Sequence, residues 1–170
     1  MKTIKQNGFT LLELMIVLAI AGITLGIAIP SMNGFVQNDR ITSFRNALHV
    51  DLMVGRSKAV ETNQAVVVCA SKNQTSCGGT YQDGWIVAID LDNNGTVDAT
   101  DTLVKVQASI PGDIKFTDGA MNSIVFDARG FSPNSNDGAI SVCDSRGDSH
   151  AKTLSISRTG RVSNGAAPSC

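Results

Sequence analysis

The chain has 170 residues, a formal net charge of −1 from 14 Lys and Arg against 15 Asp and Glu, and four cysteines. So close a balance excludes a partner chosen by overall charge, and the length accommodates one apolar segment plus one globular domain of roughly 110 residues, enough to bury an adequate core. No internal repeat or low-complexity linker divides it.

In chain order, a short basic stretch with Lys2 and Lys5 precedes the run Gly8 to Ile29, GFTLLELMIVLAIAGITLGIAI. About 20 apolar residues at ~1.5 Å rise each cross a bilayer core, so residues 9–30 are expected to form a membrane-spanning helix. The competing reading, a buried helix of a soluble domain, lacks anything else in the chain hydrophobic enough to surround it. Glu13 is the anomaly in the run. An ionised carboxylate in hydrocarbon is costly, marks function by default and calls for a positive partner. A secretory signal would carry its small-residue cleavage site after the apolar core, whereas here Gly8 comes before it.

Lys5-Gln6-Asn7-Gly8 followed by Phe9-Thr10-Leu11-Leu12-Glu13-Leu14 resembles the start of the type IV pilin and pseudopilin family, with its class III prepilin leader. The resemblance implies that a prepilin peptidase cuts between Gly8 and Phe9, removes residues 1–8 and methylates the new amino group of Phe9. It also implies that Glu13 pairs with the N-terminal amine of a neighbouring subunit during filament assembly. Two charges that are each expensive in lipid offset one another when a partner helix arrives in register. Without Lys2 and Lys5, 12 basic residues remain against 15 acidic ones, a net charge of −3.

Beyond the apolar run, Pro30 is a candidate kink, because proline removes a backbone donor and clashes with the preceding turn. Ile41, Phe44, Leu48, Leu52 and Ala59 then recur at helical spacing, with Asp39, Arg40, Arg45, Lys58 and Glu61 assigned to the opposite face. Residues 31–62 therefore read as an amphipathic continuation, and a helix from Phe9 to Thr62 would be on the order of 80 Å long. The stripe itself reads as core packing against a sheet.

From residue 63 the pattern changes to strands. Ala65 to Ala70, Trp85 to Ile89, Leu103 to Gln107, Ile124 to Phe126, Ala139 to Cys143 and Thr153 to Ser157 are short, β-branched and separated by Gly, Asn and Asp. This spacing implies hairpins, hence one antiparallel sheet or a pair of sheets packed on the helix, an α+β class. Cys69, Cys77, Cys143 and Cys170 allow three disulfide connectivities in an oxidising compartment. The working choice is Cys69 with Cys77, closing a small hairpin loop, and Cys143 with Cys170, pinning the C-terminal tail to a strand. Metal ligation is the rival use of these cysteines, but only His49 and His150 are available beside them and no cysteines form a close pair.

Two segments carry sharper chemistry. Asp90 to Asp101, DLDNNGTVDATD, places oxygen ligands at Asp90, Asp92, Asn94, Asp98 and Asp101 around Gly95 with the spacing of a calcium loop. It lies between two predicted strands and ends in Asp rather than a bidentate Glu, and such a sequence also serves simply to reverse a hairpin. Charge is segregated in the second half. From Asp83 to Asp144 ten acidic residues face Lys105, Lys115 and Arg129, a net of −7, whereas from Arg146 to Cys170 four basic residues face Asp148, a net of +3. Positive charge gathered at one end suits a polyanion.

Gly84-Trp85 opening a strand, the Asp/Asn/Gly loop, Phe126 with Arg129-Gly130, and Ser157-Arg158-Thr159-Gly160-Arg161-Val162 look like the FimT/GspH-type branch of minor pilins and pseudopilins. Some members of that branch bind DNA through a C-terminal Gly-Arg-x-Arg pattern. Here it runs Gly160-Arg161-Val162-Ser163, so the second arginine is absent and Arg158 is the available substitute. A solvated turn that only keeps the domain soluble is the plainer account of these arginines.

The expectation is a processed minor pilin of a type IV pilus, with double-stranded DNA capture as an added role and a minor pseudopilin of a type II secretion system as the alternative. The implied partners are the major pilin, other minor pilins, the prepilin peptidase and the inner-membrane assembly platform. The implied location is the bacterial inner membrane with the head in the periplasm, then the pilus. No nucleophile with an adjacent histidine and acid, no phosphate-cradling loop and no cofactor motif points to an enzyme. The Gly- and Asn-rich loops, including Ser132 to Gly138, are expected to be exposed and available for subunit contacts.

Overall fold

The computed structural model of the chain describes residues 8–110, 112–117, 121–135, 137–165 and 170, with the backbone alone at 28–31. Lys2 and Lys5 lie outside the described residues, as does the side chain of Pro30, on which the expected kink depends. The chain divides into two compact units, Met1–Asn38 and Asp39–Cys170. One helix, α1 (Leu11–Thr62), begins in the first and ends in the second.

The start of α1 follows from a local signal. The Thr10 hydroxyl accepts the Glu13 backbone N–H at 3.2 Å, occupying one of the donors that a helix N-terminus leaves unpaired. Every large apolar side chain from Leu11 to Ile27 is exposed in this unit, Leu11 at 77 %. An 18-residue window here reaches a mean hydropathy of 2.5 with none of it buried. Within it, Thr24 donates its hydroxyl to the carbonyls of Ile20 and Ala21, both at 3.0 Å, so its polar group is satisfied without water. At the other end Asn63 takes a left-handed φ of 53° just past Thr62, a conformation Asn tolerates at a helix stop.

Among the described residues the second unit holds eight strands: β1 (Ala65–Ala70), β2 (Trp85–Asp90), β3 (Thr102–Gln107), β4 (Lys115–Thr117), β5 (Ser123–Phe126), β6 (Gly138–Cys143), β7 (Lys152–Ile156) and β8 (Val162–Asn164). They form two four-stranded sheets in the orders β3-β2-β1-β5 and β4-β6-β7-β8, antiparallel throughout. The Ile41, Leu48, Leu52 and Ala59 stripe of α1 is fully buried against Val66, Val68, Val87 and Phe126 of the first sheet and Ile140, Leu154 and Ile156 of the second. The opposite face of the first sheet buries Val67, Cys69, Ile86 and Ala88 under Val97. Strands β1 and β2 are therefore covered on both sides, which is why they read as unbroken apolar runs rather than alternating ones. Gly55 lets α1 approach closely, since a Cβ there would stand 2.8 Å from Val68 Cγ2.

Cys69 is bonded to Cys77 and Cys143 to Cys170, with sequence separations of 8 and 27. Loop-closure entropy for chords of these lengths corresponds to about 2.5 and about 3.5 kcal/mol of stabilisation, respectively.

Several sequence expectations are corrected. Strands β4 and β8 were not signalled, because three-residue strands show too little alternation to register. Phe116 of β4 nevertheless joins the sheets, its ring centroid lying 5.9 Å from Trp85 and 6.1 Å from Tyr81. Arg45 does not belong to the solvated face. It stands four residues after Ile41 and three before Leu48, so it is half-buried and its Nη1 donates to Asn164 Oδ1 at 2.8 Å. The segment beginning at Ser132 is not a free loop either: Ser132 and Ser135 are buried, and the Ser132 N–H donates to the Arg158 carbonyl at 2.9 Å.

Candidate functional site

Phe9 is 84 % exposed, just ahead of the capped first turn that carries Glu13. Glu13 sits in that first turn, where the helix dipole favours negative charge, and among the described residues it has no ion-pair partner. An apolar surface bearing one exposed carboxylate near its end is chemically suited to pairing with a cation delivered by another helix. The Thr10 cap was readable as a Thr-x-x-Glu capping box and was missed.

The C-terminal turn is held from three sides. Residues Ser157–Arg161 join β7 to β8, with the Gly160 N–H donating to the Ser157 carbonyl at 2.8 Å and the Ser157 N–H to the Arg161 carbonyl at 3.0 Å. Gly160 has φ 72°, and a Cβ there would stand 1.9 Å from the Gly130 carbonyl oxygen, so only glycine fits. Arg56 of α1 donates from Nε to the Gly130 carbonyl at 3.0 Å and from Nη2 to the Thr159 carbonyl at 3.2 Å. The Arg158 N–H donates to Asp137 Oδ1 at 3.1 Å. The turn thus brings Arg158 and Arg161, both exposed, onto one anchored hairpin tip. Arg56, at helical spacing between Leu52 and Ala59, is the positioning residue that the sequence reading overlooked.

The Asp90–Asp101 loop connects β2 to β3 and brings together three of its five candidate ligands. Carboxylate oxygens of Asp90, Asp92 and Asp101 lie within 4.8 Å of one another. Asp90 is buried and accepts the N–H groups of Asn94 at 3.2 Å and Gly95 at 2.8 Å. Asp101 accepts those of Leu91 at 2.9 Å and Asp98 at 3.0 Å, while Asn94 donates to Asp92 at 2.8 Å. Burial pushes the Asp90 carboxyl above its ordinary range, and neighbouring Asp92 and Asp101 act in the same sense against the Gly95 and Asn94 N–H bonds. Asp98, outside that group, is held low by the N–H and hydroxyl of Thr100. The loop's own backbone donors engage the carboxylates, as a hairpin connection of this composition requires.

A polar triad built on the buried Asp51 and Trp85 also escaped the sequence reading. Asp51 lies on the core side of α1 between Leu48 and Leu52, where it accepts the Trp85 Nε1–H at 2.8 Å and pairs with the Lys105 ammonium. It ties the helix to β2 and β3. The signal was an acidic residue adjoining a predicted apolar stripe, which sequence reasoning assigns to solvent unless a partner is known.

Comparisons with known proteins bear on the family and the fold. Residues 45–160 match the family described as "Type II transport protein GspH", and residues 4–29 match the prokaryotic N-terminal methylation motif. No curated protein sequence matches the chain. Two crystal structures of the type IV minor pilin FimU of Pseudomonas aeruginosa (strain PAO1), in different crystal forms, share the fold. One has a TM-score of 0.63 at 19 % identity, covering 79 % of this chain and 96 % of FimU. The other has a TM-score of 0.60 at 19 % identity, covering 75 % and 96 %. With residues 45–160 matched by the family model and the N-terminus matched by the methylation motif, the chain belongs to the GspH family of pilin-like proteins.

Proposed function

We propose that the protein is a minor type IV pilin that takes part in pilus assembly. In this reading residues 1–8 are removed after Gly8 and Phe9 is N-methylated. Residues 9–30 anchor the precursor in the membrane and then enter the filament core, residues 31–62 continue the helix, and residues 63–170 form the disulfide-bonded head. The observation that carries it is the continuous exposed apolar surface of α1 from Leu11 to Ile27 with Glu13 in its first turn. Lipid before assembly and neighbouring helices after it would cover that surface. The role is structural, with the major pilin, other minor pilins, the prepilin peptidase and the inner-membrane platform as partners. The likeness to FimU, a type IV minor pilin, supports the choice of pilus.

The test is Glu13→Val in the native host. Membrane insertion is expected to be unchanged while incorporation into sheared pili is lost, and normal incorporation would refute the assignment of Glu13. A second reading, a minor pseudopilin of type II secretion, draws on the description of the matched family. Deletion separates the two, since loss of surface pili and twitching supports the first and loss of exoprotein secretion the second.

Capture of double-stranded DNA is a further part of the proposal, supported by the exposure of Arg158 and Arg161 on the anchored turn. Residues 36–170 should bind a duplex with salt-sensitive affinity that Arg158→Ala with Arg161→Ala abolishes. Absence of binding at low salt would leave the assembly role alone.

A further inference from the structure

At the end of the β7–β8 hairpin away from the Ser157–Arg161 turn, a polar cavity of about 290 Å³ is lined by Arg45, Ala151, Lys152, Thr153, Asn164 and Gly165. Both ionisable residues in the lining are cations. Arg45 comes from α1, and the hairpin supplies the rest.

The state of Arg45 is the informative observation. Arg129, Arg146, Lys58 and Lys105 each meet a carboxylate, and Arg56 donates to two carbonyls. Arg45 is half-buried, donates to the neutral amide oxygen of Asn164 at 2.8 Å, and keeps a buried Nε with no acceptor. Among the described residues it forms no ion pair. A guanidinium cannot shed its charge, so partial burial beside a neutral acceptor leaves that charge under-compensated. Asp148, the acidic residue nearest in sequence to Lys152, is already engaged, its Oδ1 accepting the Cys170 N–H at 2.8 Å.

We propose that this cavity binds a phosphate-type oxyanion, either free inorganic phosphate or a phosphodiester group of a nucleic acid. Arg45 supplies the planar donor, Lys152 the second positive charge, and Asn164 holds the guanidinium in place. The site is separate from Arg158 and Arg161 and does not rest on their role.

The test is amide NMR of the full chain in detergent micelles, titrated with inorganic phosphate at constant ionic strength beside a chloride control. Signals of Ala151, Lys152, Thr153, Asn164 and Gly165 should shift saturably with phosphate and not with chloride. Lys152 is exposed, so Lys152→Gln retains the fold and should weaken binding by about tenfold or more, as expected for losing one charge-assisted hydrogen bond. Arg45→Gln, checked by its melting temperature, should abolish it. In a second arm a short DNA duplex is added to the Arg158→Ala, Arg161→Ala variant. Shifts at the same amides identify the phosphodiester as the source, and shifts with phosphate alone identify the free anion. No saturable shift at tens of millimolar phosphate, or undiminished binding by Lys152→Gln, would overturn the proposal.

Discussion

Asp51→Ala removes the acceptor that Trp85 Nε1–H and the Lys105 ammonium share. The two losses differ because the Lys105 side chain is 44 % exposed whereas that of Asp51 is 1 % exposed. The indole N–H stays buried without an acceptor, at a cost of about 1–3 kcal/mol. The ion pair is half in water, so its loss adds on the scale of an exposed pair, about 0.5–1 kcal/mol. Relief of the carboxylate's own desolvation offsets part of this, leaving about 2 kcal/mol of net destabilisation. With a urea m-value of about 2 kcal/mol/M for a domain of this size, the midpoint falls by about 1 M. The chain contains one tryptophan, so Trp85 fluorescence of residues 36–170 in urea reads the transition from within the triad. Asp51→Asn keeps a carbonyl for the indole and should lose about half as much. A midpoint for Asp51→Ala within about 0.2 M of wild type, or an equal loss in Asp51→Asn, would refute the reasoning that the buried indole dominates.

Gly160→Ala places a side chain at φ 72° and 1.9 Å from the Gly130 carbonyl oxygen. It should cost at least about 2 kcal/mol and lower the melting temperature by several degrees, and an unchanged melt would refute the docking of this turn. Two carboxylates shape the acid side of the stability curve with opposite sign. The hydrogen bond from the Arg146 guanidinium, then the Arg146 N–H and nearby positive charge, hold the Asp144 carboxyl below its ordinary value against the effect of burial. Its contribution is therefore present above the ordinary carboxylate value and lost as pH falls through the lowered one. Burial raises Asp90, so its unfavourable contribution at neutral pH is relieved as pH falls through the raised value toward the ordinary one. Urea midpoints against pH should rise slightly and then fall on acidification. Asp90→Asn should remove the rise and Asp144→Asn reduce the fall. Millimolar calcium should leave the melting temperature within about 1 °C, because backbone N–H groups already engage Asp90 and Asp101. A saturable rise abolished by Asp90→Asn would instead make the loop a cation site.

The sequence by itself determined the elements whose signals are local. The apolar run through Ile29, the Ile41-to-Ala59 stripe and the β-branched runs of β1, β2, β3, β5, β6 and β7 each carry their own pattern along the chain, because apolar patterning and local propensity are legible before any partner element is known. The Gly8-Phe9 and Glu13 motif is local in the same sense, readable before any fold exists. The acidic loop was legible as a turn, since Asn-Gly and Asp side chains bond their own backbone. Tertiary structure decided which faces those elements share and how the cysteines pair out of three connectivities. It also decided the fate of polar residues on core-facing turns of α1. Asp51 meets a lysine 54 residues away, Arg56 a carbonyl 103 residues away and Arg45 an amide 119 residues away. Helical periodicity sends a charged side chain to solvent by default, because burying it alone is prohibitive. Only the packed chain, by bringing up an acceptor or an opposite charge from a distant strand, reverses that default.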